Sequence, residues 1–160
     1  MSYGHPLMKN VSSDLMDQWL IEAAQSPRKR RHYNYHPSLD DPVQRLCIAL
    51  CKGTYVRPHR HPQDDRWELI IALRGRTAMV TFDDAGKPQD KYLLCPLSLP
   101  AVECPPNTWH TLYPLDDESV IMEIKQGPYL PNQPEYFATW APEENDHSAV
   151  LSYMAALQAF

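Results

Sequence analysis

Residues 53–75 read GTYVRPHRHPQDDRWELIIALRG, and this stretch decides how the rest of the chain is interpreted. Its spacing is G-x5-H-x-H-x6-E-x6-G, with His59, His61 and Glu68 as the polar members. Residues i and i+2 of a strand point to the same face, so both imidazoles can reach one ion. Glu68 begins the next apolar run, and an adjacent antiparallel strand would bring its carboxylate close to them. The stretch therefore predicts three ligands of one metal ion.

A fourth ligand is expected from another strand, and His110 meets that requirement. It follows the turn Pro105-Pro106-Asn107 and lies just inside the next predicted strand. Three neutral imidazoles and one carboxylate suit a divalent transition metal, and a six-coordinate ion would keep two positions for water or substrate. A closed structural zinc site would more often be built from thiolates. We expect one such ion, with Mn or Fe favoured and Zn or Ni also compatible.

The chain around this stretch has the periodicity of short strands. It contains 16 prolines and only 5 glycines, and proline is excluded from helix interiors and central strands. Roughly seven or eight strands at a spacing of about 8 to 12 residues indicate an all-β sandwich or barrel. Six of them are predicted at residues 43–50, 67–73, 76–82, 91–95, 108–113 and 119–125, and the turn at Arg74 and Gly75 predicts a hairpin.

A helix is predicted at each end of the chain. Ser12 or Ser13 can cap a helix over residues 14–25, which has an apolar stripe. The basic run that follows, at 28–31, is interpreted as solvated surface, with a polyanion site as the less favoured alternative.

The whole chain is expected to form a single domain, residues 1–160. Residues 43–125 form the barrel core of this prediction, and 126–160 form a tail with a final helix. Asn145 or Asp146 can cap that helix, which packs either on its own barrel or on a dimer partner.

Charge and composition exclude several classes of partner. The net charge is −5, so no overall positive field draws the chain to nucleic acid or anionic lipid. No apolar run is long enough to cross a bilayer, and the first residues lack the features of a secretory signal, so a cytoplasmic location is expected. The four cysteines are interpreted as small core residues that remain thiols: Cys47, Cys51, Cys95 and Cys104.

The two blocks that contain the histidines resemble the two motifs of the cupins, and a closer resemblance is to the WbuC family of cupin-fold metalloproteins. The segments that carry it are Asn34-Tyr35-His36, Pro42-Val43-Gln44-Arg45, Pro58-His59-Arg60-His61, Trp67-Glu68-Leu69, Leu73-Arg74-Gly75-Arg76, Phe82-Asp83-Asp84, Pro105 to Thr111 and Glu123 to Tyr129. The resemblance implies a single small cupin (jelly-roll) β-barrel with one metal. Because the WbuC family is associated with gene clusters for lipopolysaccharide O-antigen, it also implies a link to that pathway. It implies no established reaction.

Further residues are candidates for contact with a small-molecule ligand. Arg57 and Tyr55 share the parity of the two histidines, and Arg57 suits a carboxylate or phosphate. A surface salt bridge is the alternative role for Arg57.

Three more candidates concern proton transfer and ligand contact. Asn34 and His36 lie in a predicted loop and are expected at the pocket. Glu123 lies within an apolar strand, where it serves as a general base if it points inward, or pairs with Lys125 if it points outward.

Three functions are compatible with these features. The first is an isomerase or epimerase in which the metal acts as a Lewis acid on a sugar or sugar-acid, with Glu123 or His36 moving a proton. The second is an Fe(II) dioxygenase, because the same ligands suit that ion. The third is a non-catalytic module that binds or senses a small ligand.

Overall fold

A computed structural model describes residues 8–160 of the chain, which form eight strands, two α-helices and a short 3-10 helix. The helices are α1 (Ser13–Gln25), α2 (His147–Ala159) and the 3-10 turn Pro134–Tyr136. The strands are β1 (Arg30–Asn34), β2 (Val43–Cys51), β3 (Glu68–Arg74), β4 (Thr77–Phe82), β5 (Pro88–Leu94), β6 (Ala101–Cys104), β7 (Trp109–Pro114) and β8 (Glu118–Gln126).

The strands form two antiparallel sheets. Five strands follow the order β1-β2-β8-β3-β6, and three follow the order β5-β4-β7. Within residues 8–160, no strand ladder closes either sheet or joins it to the other. The prediction of an all-β fold with a helix at each end is therefore confirmed, and the barrel is a sandwich of two sheets rather than a cylinder with a continuous ladder.

The main core lies between the two sheets. Alternate residues of β2, β3 and β8 point inward and are buried, as the strand period of two requires. Each large aliphatic side chain fully buried there contributes about 1.5–3 kcal/mol relative to an exposed one. The buried members are Leu46, Ile48, Leu50, Ile70, Ala72, Met79, Leu94, Cys104, Leu112 and Ile121.

Both helices pack on outer faces of the sandwich. The side chain of Ser12 accepts a hydrogen bond from the backbone N–H of Leu15, so the predicted cap of α1 is confirmed. The apolar stripe of α1 covers β2 on the face that carries Cys47 and Cys51. The cap of α2 is Asp146, and this helix packs on the three-stranded sheet of its own chain.

Two local predictions were wrong. β3 and β4 do not form a hairpin, because Gly75 takes the chain from one sheet to the other. Its φ is +67°, and a Cβ atom there would lie 2.4 Å from the carbonyl oxygen of Glu118. The residues from 54 to 67 are irregular, so His59 and His61 lie on a loop instead of a strand. β1 and β6 were not predicted.

Among residues 8–160, no helix has the length and apolar character needed to span a membrane.

Candidate metal centre

His59 and His61 lie on the loop between β2 and β3, and the backbone of β7 holds this loop in place. The N–H of His59 donates to the carbonyl of His110 at 3.1 Å, and the N–H of His110 donates back to His59 at 2.9 Å. The N–H of Asn107 also donates to the carbonyl of His61 at 2.7 Å. Asn107 has a φ of 58°, a left-handed conformation that asparagine tolerates better than most residues. This pairing, rather than strand periodicity, brings the histidines together.

The fourth residue of the group approaches from the opposite sheet. Glu68 is the first residue of β3, and its Oε2 lies 2.9 Å from Nε2 of His110. Its Oε1 lies 3.2 Å from Nε2 of His61. One ligand atom from each of His59, His61, Glu68 and His110 lies within 4.8 Å of the other three. These residues form the candidate metal centre.

Backbone carbonyls orient two of the three imidazoles. Nδ1 of His59 lies 3.0 Å from the carbonyl oxygen of Arg57, and Nδ1 of His110 lies 2.8 Å from that of Thr108. A proton on each Nδ1 completes these hydrogen bonds, so Nε2, the nitrogen that faces the centre, is the atom that would bind a metal ion. Such outer hydrogen bonds are the usual means by which a protein fixes the tautomer of a metal-binding histidine.

The buried charges of the group are strongly coupled. Burial alone would raise the pKa of Glu68, but the hydrogen bond from His110 and the closeness of the His61 imidazole and the Lys125 ammonium group hold it well below its ordinary value. Burial would lower the pKa of His110, and its contacts with Cys104 and Glu68 raise it instead. Burial lowers the pKa of His59 to about 3, and the neighbouring His110 adds to this effect. The carboxylate is therefore ionised and His59 is neutral, as metal binding requires.

One atom of the group points specifically to a metal. Nε2 of His61 is buried and has no hydrogen-bond partner within residues 8–160, because its approach to Glu68 at 3.2 Å lacks hydrogen-bond geometry. A buried polar nitrogen without a partner is costly, and coordination to a cation would satisfy it. Three imidazoles and a carboxylate are also a donor set suited to Mn(II) or Fe(II). The group could therefore hold a divalent metal ion.

The centre opens into a cavity of about 580 Å³ between the sheets. Asn34, His36, Arg57 and Glu123 line this cavity, as does each residue of the candidate metal centre. Tyr55 is outside the lining and is buried against the C-terminal segment, where its hydroxyl donates to the carbonyl of Pro142 at 2.9 Å.

Lys125 is a cavity residue whose role the sequence did not reveal. Its Nζ lies 2.5 Å from Oε1 of Glu123 and 3.2 Å from Oε1 of Glu68. The register explains this arrangement, because Lys125 is paired with Glu68 across β8 and β3, and Glu123 lies two residues away on the same face. Glu123 therefore points inward and pairs with Lys125, which combines the two alternatives that the sequence left open.

Two predicted residues remain, Arg57 and His36, and they differ in how many of their polar side-chain atoms have hydrogen-bond partners. Both Nε and Nη2 of Arg57 donate to the carbonyl of Ala138, at 3.3 and 2.9 Å. The Nδ1 atom of His36 accepts from the backbone N–H of Arg45 at 3.0 Å. Nε2 of His36 is buried without a hydrogen-bond partner within residues 8–160. His36 therefore retains a polar atom for a ligand.

Comparison with known families places the chain in one of them. A family model described as "Domain of unknown function (DUF6016)" matches residues 11–94. The chain belongs to the DUF6016 family. The matched segment of this DUF6016 protein includes His59, His61 and Glu68 and ends before His110. No curated protein matches the chain.

Solved structures show the fold of this DUF6016 protein. The TT1209 protein of Thermus thermophilus is 15% identical with a TM-score of 0.55, covering 74% of this chain and 97% of that one. The SPY1581 protein of Streptococcus pyogenes is 14% identical with a TM-score of 0.51, covering 81% and 98%. An oxalate oxidase in complex with glycolate is 12% identical with a TM-score of 0.53, covering 66% and 55%. These structural neighbours are cupin-fold proteins, so the predicted cupin fold is confirmed.

Proposed function

We propose that this protein is a metal-dependent enzyme that moves a proton on a small sugar or sugar-acid, as an isomerase or epimerase does. The observation that carries the proposal is the Glu123–Lys125 pair, a carboxylate and an ammonium group 2.5 Å apart in the cavity wall beside His59, His61, Glu68 and His110. A bound divalent ion would act as a Lewis acid that polarises a substrate carbonyl.

Glu123 is the proposed base. Its carboxylate accepts a proton from the carbon next to the carbonyl, and the C–H electron pair moves toward that carbonyl. In an epimerisation a proton returns to the same carbon from the opposite face. In an isomerisation it returns to the former carbonyl carbon, while the proton of the adjacent hydroxyl moves to the former carbonyl oxygen. The overall change is redox-neutral, so no oxidant is needed. Glu123 is 7% exposed, which keeps bulk water away from the transferred proton.

Other cavity residues orient the substrate in this proposal. The ammonium group of Lys125 faces the same space as Glu123 and stabilises negative charge that develops on a substrate oxygen. His36 offers its buried Nε2 and Asn34 its amide, while Arg57 binds an acidic group near the C-terminal segment. The resemblance to the WbuC family supports a sugar as the substrate class.

The charge of the cavity supports an acidic substrate. Five cationic and three carboxylate side chains line the cavity, which leaves an excess of two positive charges before any metal is added. The chain as a whole has a net charge of −5, so the cavity is opposite in sign to the molecule. The charged lining residues are Arg28, Arg30, Arg57, Arg66, Lys125, Glu68, Glu123 and Glu144.

The second candidate is an oxygen-dependent enzyme that uses Fe(II). The three-imidazole, one-carboxylate group suits that ion as well as Mn(II). Consumption of oxygen by the Fe(II)-loaded protein with a small acid, and no reaction under anaerobic conditions, would favour this candidate over the isomerase.

Proton exchange tests the proposal without knowledge of the final product. Metal-loaded protein is incubated anaerobically in D2O with single sugars and sugar-acids, and loss of C–H signals is followed by proton NMR. We expect deuterium to enter one substrate at the carbon beside its carbonyl. The exchange should fall by about two to four orders of magnitude in Glu123→Gln, which removes the base.

Two variants make this experiment specific. Glu103→Gln removes an exposed carboxylate from β6 and should exchange at the wild-type rate. His61→Ala should lose both bound metal and exchange. Equal exchange in wild type and Glu123→Gln would refute the assigned base. Tight binding of a sugar-acid with no exchange under any metal would favour a binding module.

A further inference from the structure

The basic run at 28–31, which ends in the first two residues of β1, is not a uniform solvated surface. Arg30 and His32 are alternate residues of β1 and share a face, and both line the cavity together with Arg28 from the preceding turn. Arg31 has the opposite parity and pairs with Glu22 of α1 at 3.3 Å, outside the cavity. The sequence expectation of a solvated face holds for Arg31, whereas the side chain of Arg30 is only 6% exposed.

A single carboxylate serves both arginines that face the cavity. The carboxylate of Glu144 accepts hydrogen bonds from Nε and Nη2 of Arg28 at 2.8 and 2.7 Å. Its Oε1 also accepts a hydrogen bond from Nη2 of Arg30 at 2.7 Å. Two guanidinium groups and one carboxylate leave one positive charge. The side chain of Arg28 is 57% exposed, so this charge is open to a ligand.

His32 lies beside this excess charge at the mouth of the cavity. It is exposed on β1, the outermost strand of its sheet, two residues from Arg30. Desolvation by the surrounding side chains lowers the pKa of His32, and the charges of Arg30, Lys125 and Arg28 add to this effect. The ring has at least one N–H in either protonation state, so it can donate a hydrogen bond to an anion.

We propose that Arg28, Arg30 and His32 form a phosphate-binding subsite at the mouth of the cavity. Arginine binds phosphate through two parallel charge-assisted hydrogen bonds, and the three donor side chains of this subsite can contact more oxygens on a phosphoryl group than the two of a carboxylate. The phosphoryl group belongs to the ligand of the cavity, so the substrate class is a phosphorylated sugar. This last step rests on the proposed function, whereas phosphate binding itself does not.

The subsite is separate from the candidate metal centre. His32 is paired with Ile48 on β2, and Gln44 of the same strand is in register with Lys125, the partner of Glu68. Four residues along a strand correspond to about 13 Å. The phosphoryl group and the reacting carbon are therefore separated by at least the length of a sugar ring.

Binding of inorganic phosphate to metal-free protein tests the subsite. Isothermal titration gives the dissociation constant, and the side-chain NMR signals of His32 report the location. We expect saturable binding that shifts these signals and that persists in His61→Ala, which lacks the metal site. Arg28→Gln should raise the dissociation constant by about tenfold or more, because a charged hydrogen-bond donor is lost. His32→Ala should weaken binding in the same direction.

The matched control is Arg31→Gln, three residues further along the chain on β1. Its side chain is 56% exposed and pairs with a glutamate, as Arg28 does, but it faces away from the cavity. This variant should change the dissociation constant by less than about twofold, the size expected of a distant screened charge. Equal losses in Arg28→Gln and Arg31→Gln would overturn the subsite, and so would loss of binding in His61→Ala.

Two further arms complete the test. Acetate should bind more weakly than phosphate, and equal affinity would overturn the assignment of a phosphoryl group. Thermal unfolding shows whether each variant is folded. If Arg28→Gln is unstable, the phosphate dissociation constant of His32→Ala, a substitution on exposed β1, decides the test. Phosphate binding without proton exchange would refute the proposed function alone, and proton exchange without phosphate binding would refute the subsite alone.

Discussion

Nε2 of His110 lies 2.9 Å from Oε2 of Glu68, although the two residues belong to opposite sheets of the sandwich. The contact joins the five-stranded and three-stranded sheets at one end of the cavity. A metal ion at this position would therefore bind side chains from both sheets. Its binding should raise the free energy of unfolding of the whole protein.

Metal should stabilise the wild-type protein and leave His110→Ala unaffected. A ligand present at about 100 times its dissociation constant adds about 2.7 kcal/mol to the free energy of unfolding. We expect Mn(II) to raise the Tm of the wild type and to give one bound ion per chain by elemental analysis. His147→Ala, which removes an exposed histidine at the start of α2, should behave as the wild type does. An equal Tm increase in His110→Ala would contradict the assigned ligand.

Replacement of Lys125 should destabilise the protein, because Glu123 would remain in the cavity wall as an unpaired charge. Lys125→Met leaves Glu123 in the cavity wall without its ammonium partner, and breaking such a pair costs about 3–5 kcal/mol. The double variant Lys125→Met with Glu123→Gln should recover most of that loss, because position 123 is then uncharged and Glu68 keeps its contacts with the histidines of the candidate metal centre. Urea unfolding of the metal-loaded proteins measures both effects. A double variant as unstable as the sum of the single losses would show that the two residues are not coupled.

Gly75→Ala should be more harmful than Gly53→Ala, although both glycines have positive φ. The left-handed conformation alone costs an L-residue about 1–2 kcal/mol, and this applies to both. A Cβ at position 53 meets no heavy atom within 4 Å, whereas at position 75 it lies 2.4 Å from a backbone oxygen. We expect an additional loss of about 1–3 kcal/mol for Gly75→Ala in chemical denaturation. Equal losses would show that the crossover relaxes freely.

The thiols should differ in reactivity in the folded protein. A hydrogen bond from the backbone N–H of Leu97 lowers the pKa of Cys95, whereas burial raises the pKa of Cys47 to about 11. The thiolate is the reactive form, so iodoacetamide at pH 8 should modify Cys95 first. Mass spectrometry should find Cys47 modified only after unfolding. In Cys95→Ser the early labelling should disappear, and rapid labelling of Cys47 in the native state would contradict the packing of α1.

The sequence predicted the four residues of the metal group but not how they come together. The spacing of His59 and His61 was interpreted as a strand, and their actual support is a backbone bridge to His110, a contact between distant segments that periodicity does not contain. The helices, in contrast, depend on local caps and apolar stripes: the first was predicted within one residue, and the observed cap of the second, Asp146, is one of the two residues predicted for it.

Two cavity residues show why the remaining features were missed. Arg30 belongs to a polar stretch that has no strand signal, and its burial depends on Glu144, more than one hundred residues away. The role of Lys125 follows from the register of β8 against β3, which the sequence leaves open. The alternation of side chains along a strand shows which residues share a face. It does not show which residues of the neighbouring strand they pair with, and that pairing places Lys125 beside Glu68.

Strand β8 is hydrogen-bonded along both edges, to β2 and to β3, and carries Glu123 and Lys125 in the middle of the larger sheet. The histidines of the metal group, in contrast, lie on a loop and at the start of β7. Sheet hydrogen bonds on both sides therefore fix Glu123 and Lys125, whereas His59 and His61 depend on a few backbone hydrogen bonds to the segment that contains Asn107 and His110.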